Sequence, residues 1–188
     1  MGGVCLILDN QQPCCCAPVR HKPIPPQRDE CPCCVEGMKE VLAQLNGKKV
    51  DVAMLDQTGP GQGNNNFTVS EIVNDLIVTG TIPGSGQNKR SAAFSICNVV
   101  GVRGNVLKDI PLPAIDETCD CCERSITSFL QRIQGQTVDV DTLATGQFNN
   151  IQNVTIDAVG KGTVRLTTMN NTWIINSCFI SGIFGFTR

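Results

Sequence analysis

The chain has 12 cysteines in 188 residues, and their spacing sets the chemistry open to it. Cys31, Cys33 and Cys34 open the stretch CPCCVEGMKEVLAQLNG, and Cys119, Cys121 and Cys122 open CDCCERSITSFLQRIQG. Cys14, Cys15 and Cys16 are consecutive, while Cys5, Cys97 and Cys178 stand apart. Thiols so arranged can ligate metal, exchange disulfides or cross-link. Cys31 with Cys34, and Cys119 with Cys122, are C-x-x-C pairs, and two such pairs can complete a tetrahedral thiolate zinc site. The pairs begin 88 residues apart and each encloses a third cysteine, whereas zinc ribbons close within roughly a few tens of residues. Zinc on Cys31, Cys34, Cys119 and Cys122 is therefore the alternative reading. A redox catalyst holds its thiolate at a helix N-terminus, a position Cys34 and Cys122 share, but the flanking sequence is no βαβ unit and a duplicated catalytic motif is unexpected. His21, the only histidine, lies in a proline-rich segment and makes a poor general base. No catalytic residue and no cofactor are expected.

The elements that must position these sulfurs repeat. CPCCVEGMKEVLAQLNGKKVDVAML (31–55) lies over CDCCERSITSFLQRIQGQTVDVDTL (119–143) at an offset of 88, which matches Leu42 with Leu130, Gly47 with Gly135 and Val50-Asp51-Val52 with Val138-Asp139-Val140. Later, CNVVGV from Cys97 lies over CFISGI from Cys178 at an offset of 81, so the first copy carries extra residues in the loop-like QTGPGQGNNN and PGSGQNK. In each copy apolar residues recur at helical spacing: Val35, Met38, Val41, Leu42 and Leu45 in the first, Ile126, Phe129, Leu130 and Ile133 in the second. Gly47 and Gly135 then stop each helix. Short β-prone runs follow: KKVDVAML, FTVSEIV, LIVTGTI and SAAFSIC, then TVDVDTL, IQNVTIDAV, TVRLTT, TWIIN and CFISGIFGF. One helix and about five bent strands outline a small closed barrel that removes its own sheet edges. Asp51 and Asp139, between valines, are expected on the solvent face of a strand and in no catalytic role.

The entry to the first strand, Leu130, Ile133, Gly135, Val138 and Val140, fits L-x-x-I-x-G-x-x-V-x-V and resembles Sm-like small barrels. The resemblance implies a mainly β fold: two tandem helix-plus-barrel modules behind an extended N-terminal arm. The expected boundaries are an arm at 1–30, a first module at 31–104, a linker at 105–118 (NVLKDIPLPAIDET, extended by its prolines) and a second module at 119–188. An RNA-binding role is disfavoured, because a net charge of −2 and an aromatic content of 4% offer neither a basic field nor stacking surfaces.

Cross-linking accounts for more of the sulfurs. Cys97 and Cys178 fall at equivalent points late in each module, so each is expected to bridge to its own helix start, Cys34 or Cys122, and staple helix to barrel. Those staples leave Cys5, Cys14, Cys15, Cys16, Cys31, Cys33, Cys119 and Cys121 unspent as candidates for bonds between subunits, and adjacent cysteines such as Cys14, Cys15 and Cys16 cannot easily bond to their immediate neighbours. The arm's VCLIL run followed by the proline-rich spacer DNQQPCCCAPVRHKPIPPQRDE points to a segment that adds a strand to a neighbour and is then locked by disulfides. MGGVCLILDN lacks the basic region of a secretory signal, and Leu6 stands where a myristoylation motif needs Ser or Thr. No run reaches the roughly 20 apolar residues of a membrane-spanning helix. A cysteine-dense chain without an export signal, carrying such an arm, resembles the cysteine-rich coat, exosporium and appendage subunits of endospore-forming bacteria. That resemblance implies a location on the spore surface after synthesis in the mother cell, and partners that are copies of itself or other spore surface proteins, with neither nucleic acid nor membrane among them.

Overall fold

The computed structural model describes residues 33–55, 65–85, 88–115 and 121–187. The cysteines of the arm, Cys5, Cys14, Cys15 and Cys16, lie outside the described residues, as do Cys31 and Cys119.

The fold is mainly β: among the described residues there are two α-helices and ten strands in one antiparallel sheet. Helix α1 (Cys33–Ala43) precedes β1 (Lys49–Met54), β2 (Phe67–Val73), β3 (Ile77–Pro83), β4 (Lys89–Ser95) and β5 (Val99–Arg103). Helix α2 (Cys121–Arg132) precedes β6 (Thr137–Thr142), β7 (Asn150–Gly160), β8 (Thr163–Thr167), β9 (Thr172–Asn176) and β10 (Ile180–Phe184). Both helices end where the glycines predicted it: Gly47 and Gly135 adopt φ of 72° and 85°, the left-handed region a Cβ disfavours. Their amide groups donate to equivalent strand carbonyls, Val69 O and Ile156 O, each at 2.8 Å. Asp51 and Asp139 lie on the more open face of their strands, alternating with buried valines as expected, but are half-buried there. Each accepts the backbone N–H of a positive-φ asparagine, Asn66 at 2.9 Å and Asn153 at 2.7 Å, and Asp51 also pairs with Arg103 at 2.6 Å. These carboxylates hold a sharp backbone bend in each half, a structural duty that explains their repetition.

The strand order is β10-β6-β7-β8-β9-β5-β1-β2-β3-β4. The first half thus runs β5-β1-β2-β3-β4 and the second β10-β6-β7-β8-β9, the same order twice. The expectation of separately closed barrels does not hold. The strand that meets β5 is β9 of the other half, with Gly101 opposite Ile175, Val102 opposite Ile174 and Arg103 opposite Trp173. One continuous sheet satisfies the backbone groups of β5 and β9 as closure would have.

Two apolar cores follow, and they interlock. Val35, Met38, Val41 and Leu42 of α1, with Leu45 in the turn that follows, line the first core as their periodicity predicts, yet Ile174 from β9 joins them. The second core, with Leu130 of α2 and Ile133 just after it, takes in Ala53 from β1 and Val100 from β5. Ile126 and Phe129 only flank it. The connector after β5 is no free spacer. Asn105–Asp109 forms a 3-10 turn whose Leu107 is fully buried in the first core, and the carbonyls of Ile110, Pro111 and Pro113 accept hydrogen bonds from Arg165, Gln44 and Lys161.

Helix α1 also touches β8 and β9. A Cβ built on Gly37 would stand 1.8 Å from the carbonyl oxygen of Lys161, in the turn between β7 and β8. Alanine normally gains a helix about 1 kcal/mol over glycine. Here the overlap with fixed backbone dominates, and overpacking of this kind costs about 1–3 kcal/mol. Gly37→Ala is therefore expected to lower the urea midpoint; an increase would show that α1 does not rest against that turn.

Candidate cross-linking site

At the seam between the halves one sulfur from each is joined. Cys34, in the first turn of α1, is bonded to Cys178, in the 3-10 turn Ser177–Phe179 that follows β9, with Cα atoms 6.1 Å apart. This corrects the expectation of staples within each module. The bond runs between modules, because β9 lies against β5 and delivers the turn after it to the start of the other half's helix. Cys97, the repeat counterpart of Cys178, is a free and exposed thiol. Cys33 and Cys121 are the first residues of α1 and α2, and Cys122 is the second of α2; the side chains of all three lie outside the described residues.

Three side chains organise the seam. Asn176, the last residue of β9 and 1% exposed, accepts the backbone N–H of Cys178 through Oδ1 at 3.1 Å. Its amide nitrogen donates to the carbonyls of Cys34 and Val99, each at 3.4 Å. One side chain thus ties α1, β5 and the turn carrying Cys178. Glu123, in the first turn of α2 and 5% exposed, accepts the backbone N–H of Cys34 through Oε1 at 3.1 Å. That amide has no partner within its own helix, and a carboxylate there also meets the positive end of the helix dipole. Oε1 lies 3.3 Å from Cys178 Sγ as well, a contact in which the bonded sulfur has no proton to give. Ser177, buried, has its hydroxyl oxygen 3.8 Å from Cys34 Sγ. Beside this cluster Lys161 forms an ion pair with Glu36 of α1, again from one half to the other.

Cys34, Cys178 and Glu123 bring three potential ligand atoms within 4.8 Å of one another. Metal ligation needs thiolates, so at Cys34 it excludes the disulfide. Of the four zinc candidates, Cys31 and Cys119 lie outside the described residues.

Sequence reasoning singled out Cys34 and Cys178 and missed Glu123, Asn176, Ser177 and Lys161. A signal for two of them was present in the repeat. Glu123 stands opposite Val35 at the 88-residue offset, and Ser177 opposite Ile96 at the 81-residue offset. Polar residues in one copy at positions that are buried and apolar in the other mark where the copies' surroundings differ. Comparison with family models, curated proteins and solved structures finds no match for this chain.

Proposed function

We propose that this chain is a non-enzymatic structural subunit that self-assembles into a disulfide-cross-linked fibre or layer on a bacterial spore surface, its N-terminal arm docking on a neighbouring subunit. The observation that carries the reading is the Cys34–Cys178 bond. In a chain of 12 cysteines, the described disulfide fastens one half to the other across a strand-to-strand junction, which is the operation a polymer repeats between subunits. The two halves are read as tandem Sm-like modules, supported by their common strand order and by the paired turns at Asp51 and Asp139.

Denaturing gels of the oxidised full chain test the reading. The expected result is a ladder of multimers that collapses to a monomer band when reductant is added. A single monomer band under both conditions would overturn it.

A further inference from the structure

Among the described residues, β4 pairs only with β3 and β10 only with β6, so each has an unpaired edge at one end of the sheet. An exposed edge is a template for another strand. These edges are the repeat counterparts of the two that meet in the middle. The 81-residue offset that sets Cys97 over Cys178 also sets Phe94 over Ile175 in β4 and β9, and Gly101 over Gly182 in β5 and β10. We propose that β4 of one copy pairs antiparallel with β10 of a second copy, in the register of the central junction, and that Cys97 then forms a disulfide with Cys122 of that second copy. This deepens, and rests on, the reading of the chain as a self-assembling subunit.

The central register, transferred by the offset, sets Gly182 opposite Phe94, Ile183 opposite Ala93 and Phe184 opposite Ala92. Sizes complement. In the centre a Cβ on Gly101 would meet Ile175 Cδ1 at 2.6 Å and the Ile174 carbonyl at 2.9 Å, so the incoming strand needs glycine there. Glycine stands at 182 too, although the nearest atoms to a Cβ built there belong to the ring of Phe184 and to Asp141, with no strand on the outer side. Phe184, 54% exposed, is a large apolar side chain that would lie over the small Ala92.

Charge is conserved in effect while reversed in sign. Across the central junction Glu36 on α1 pairs with Lys161 in the β7–β8 turn. The counterpart of Glu36 is Arg124 on α2, and the counterpart turn, between β2 and β3, contains Asp75. Asp75 is held by Lys39 at 2.7 Å, which keeps its carboxyl below the usual range and therefore ionised.

The sulfurs obey the same mapping. Cys178, after the strand β9, bonds to Cys34 on the helix of the half that supplies β5. Cys97 follows β4 in the equivalent 3-10 turn, Ile96–Asn98, and the counterpart of Cys34 on the half that supplies β10 is Cys122. The β4 edge is less apolar than its central counterpart, since Ala92 and Ala93 replace Trp173 and Ile174. Strand pairing there is weaker, and the covalent bond is what makes it last. Each copy presents one edge of each kind, so the contact is head-to-tail and propagates. The oxidant is a small-molecule disulfide. The Cys97 thiolate displaces one of its thiols to give a mixed disulfide, and the Cys122 thiolate then displaces the other. Two protein thiols become one S–S bond as the reagent leaves as two thiols.

The test mixes full-length copies of ordinary and heavy-nitrogen protein, oxidises them with oxidised glutathione and maps disulfide-linked peptides by mass. The expected product is a Cys97–Cys122 peptide pair in which light and heavy halves mix statistically. Cys97→Ser removes it. Gly182→Val and, on the other edge, Ala93→Lys lower its yield at least 10-fold while leaving the Cys34–Cys178 bond intact. The proposal is overturned if Cys97 is found bonded within its own chain or to another cysteine, or if both edge variants leave the yield unchanged. Reductant-sensitive multimers in which Cys97 remains free would sink this inference alone, whereas the absence of any multimer would sink the self-assembly reading with it.

Discussion

Replacing Cys178 with serine is expected to lower the unfolding free energy by about 4 to 5 kcal/mol, because the bond to Cys34 closes a loop of 144 residues. In the chain-entropy account the cross-link acts by restricting the unfolded chain, and the effect grows with the logarithm of the loop. The folded state loses less, since β5 and β9 remain hydrogen-bonded and Ile174 and Val100 remain in the opposite cores. With domain stabilities of about 5–15 kcal/mol, such a loss leaves the fold marginal. Urea unfolding under non-reducing conditions measures it. Cys34→Ser should cost about the same, and the double variant scarcely more, because both substitutions remove one bond. Cys97→Ser, at an exposed free thiol, should stay within about 0.5 kcal/mol of the parent. Alkylation adds a check on pairing: in Cys178→Ser the newly reactive thiol should map to Cys34. If it maps to Cys122, the bond lies within the second half and the seam is wrongly drawn.

What could be read from the sequence, and what could not, divides along the range of the interaction involved. The helix faces of α1 and α2, the glycine stops and nearly every strand were legible because each depends on local periodicity or on one backbone angle. The partner of β5 was not. A strand that closes its own barrel and a strand that pairs with a neighbouring half need the same alternation of side chains, so the choice between them lies in the surface offered by β9. The disulfide followed that choice. Spacing placed Cys34 and Cys178 in one candidate set of four, but Cys97 and Cys178 are equivalent by sequence, and only the meeting of β5 with β9 brings Cys178 to α1. The connector was legible only in its prolines; that Val106, Leu107, Ile110 and Leu112 give it an apolar face packed against the first core depends on the surface the fold offers it. Two of the seam's polar residues, Glu123 and Ser177, were legible in principle through their mismatch with apolar counterparts in the other copy, whereas Asn176 stands over the polar Ser95 and carried no such signal.

Asn176→Ala is expected to destabilise the protein by about 2 to 4 kcal/mol, more than any loss of apolar area from so small a side chain could explain. The substitution leaves the Cys178 amide group and the carbonyls of Cys34 and Val99 without the partner that Asn176 provides; Asn176, Cys34 and Val99 are buried, while Cys178 itself is exposed. An unmet buried polar group costs about 1–3 kcal/mol. The two donor bonds, at 3.4 Å, are long and contribute the lesser part, while the 3.1 Å bond to the Cys178 amide fixes the turn that aims the sulfur. The variant should therefore weaken the disulfide as well as the fold. Its Cys34–Cys178 bond should open at a lower concentration of reductant than the parent's, and the Asn176→Ala penalty should shrink once Cys34 and Cys178 are both serine, since the side chain and the bond position the same turn. Asn176→Asp separates the roles: Oδ1 can still accept from Cys178, but the donors to Cys34 and Val99 are replaced by an oxygen facing two carbonyls, and a charge is buried among them. It should be at least as damaging as alanine. If Asn176→Asp unfolds at the parent's urea midpoint, the three-way tie drawn at this seam is not what holds the halves together.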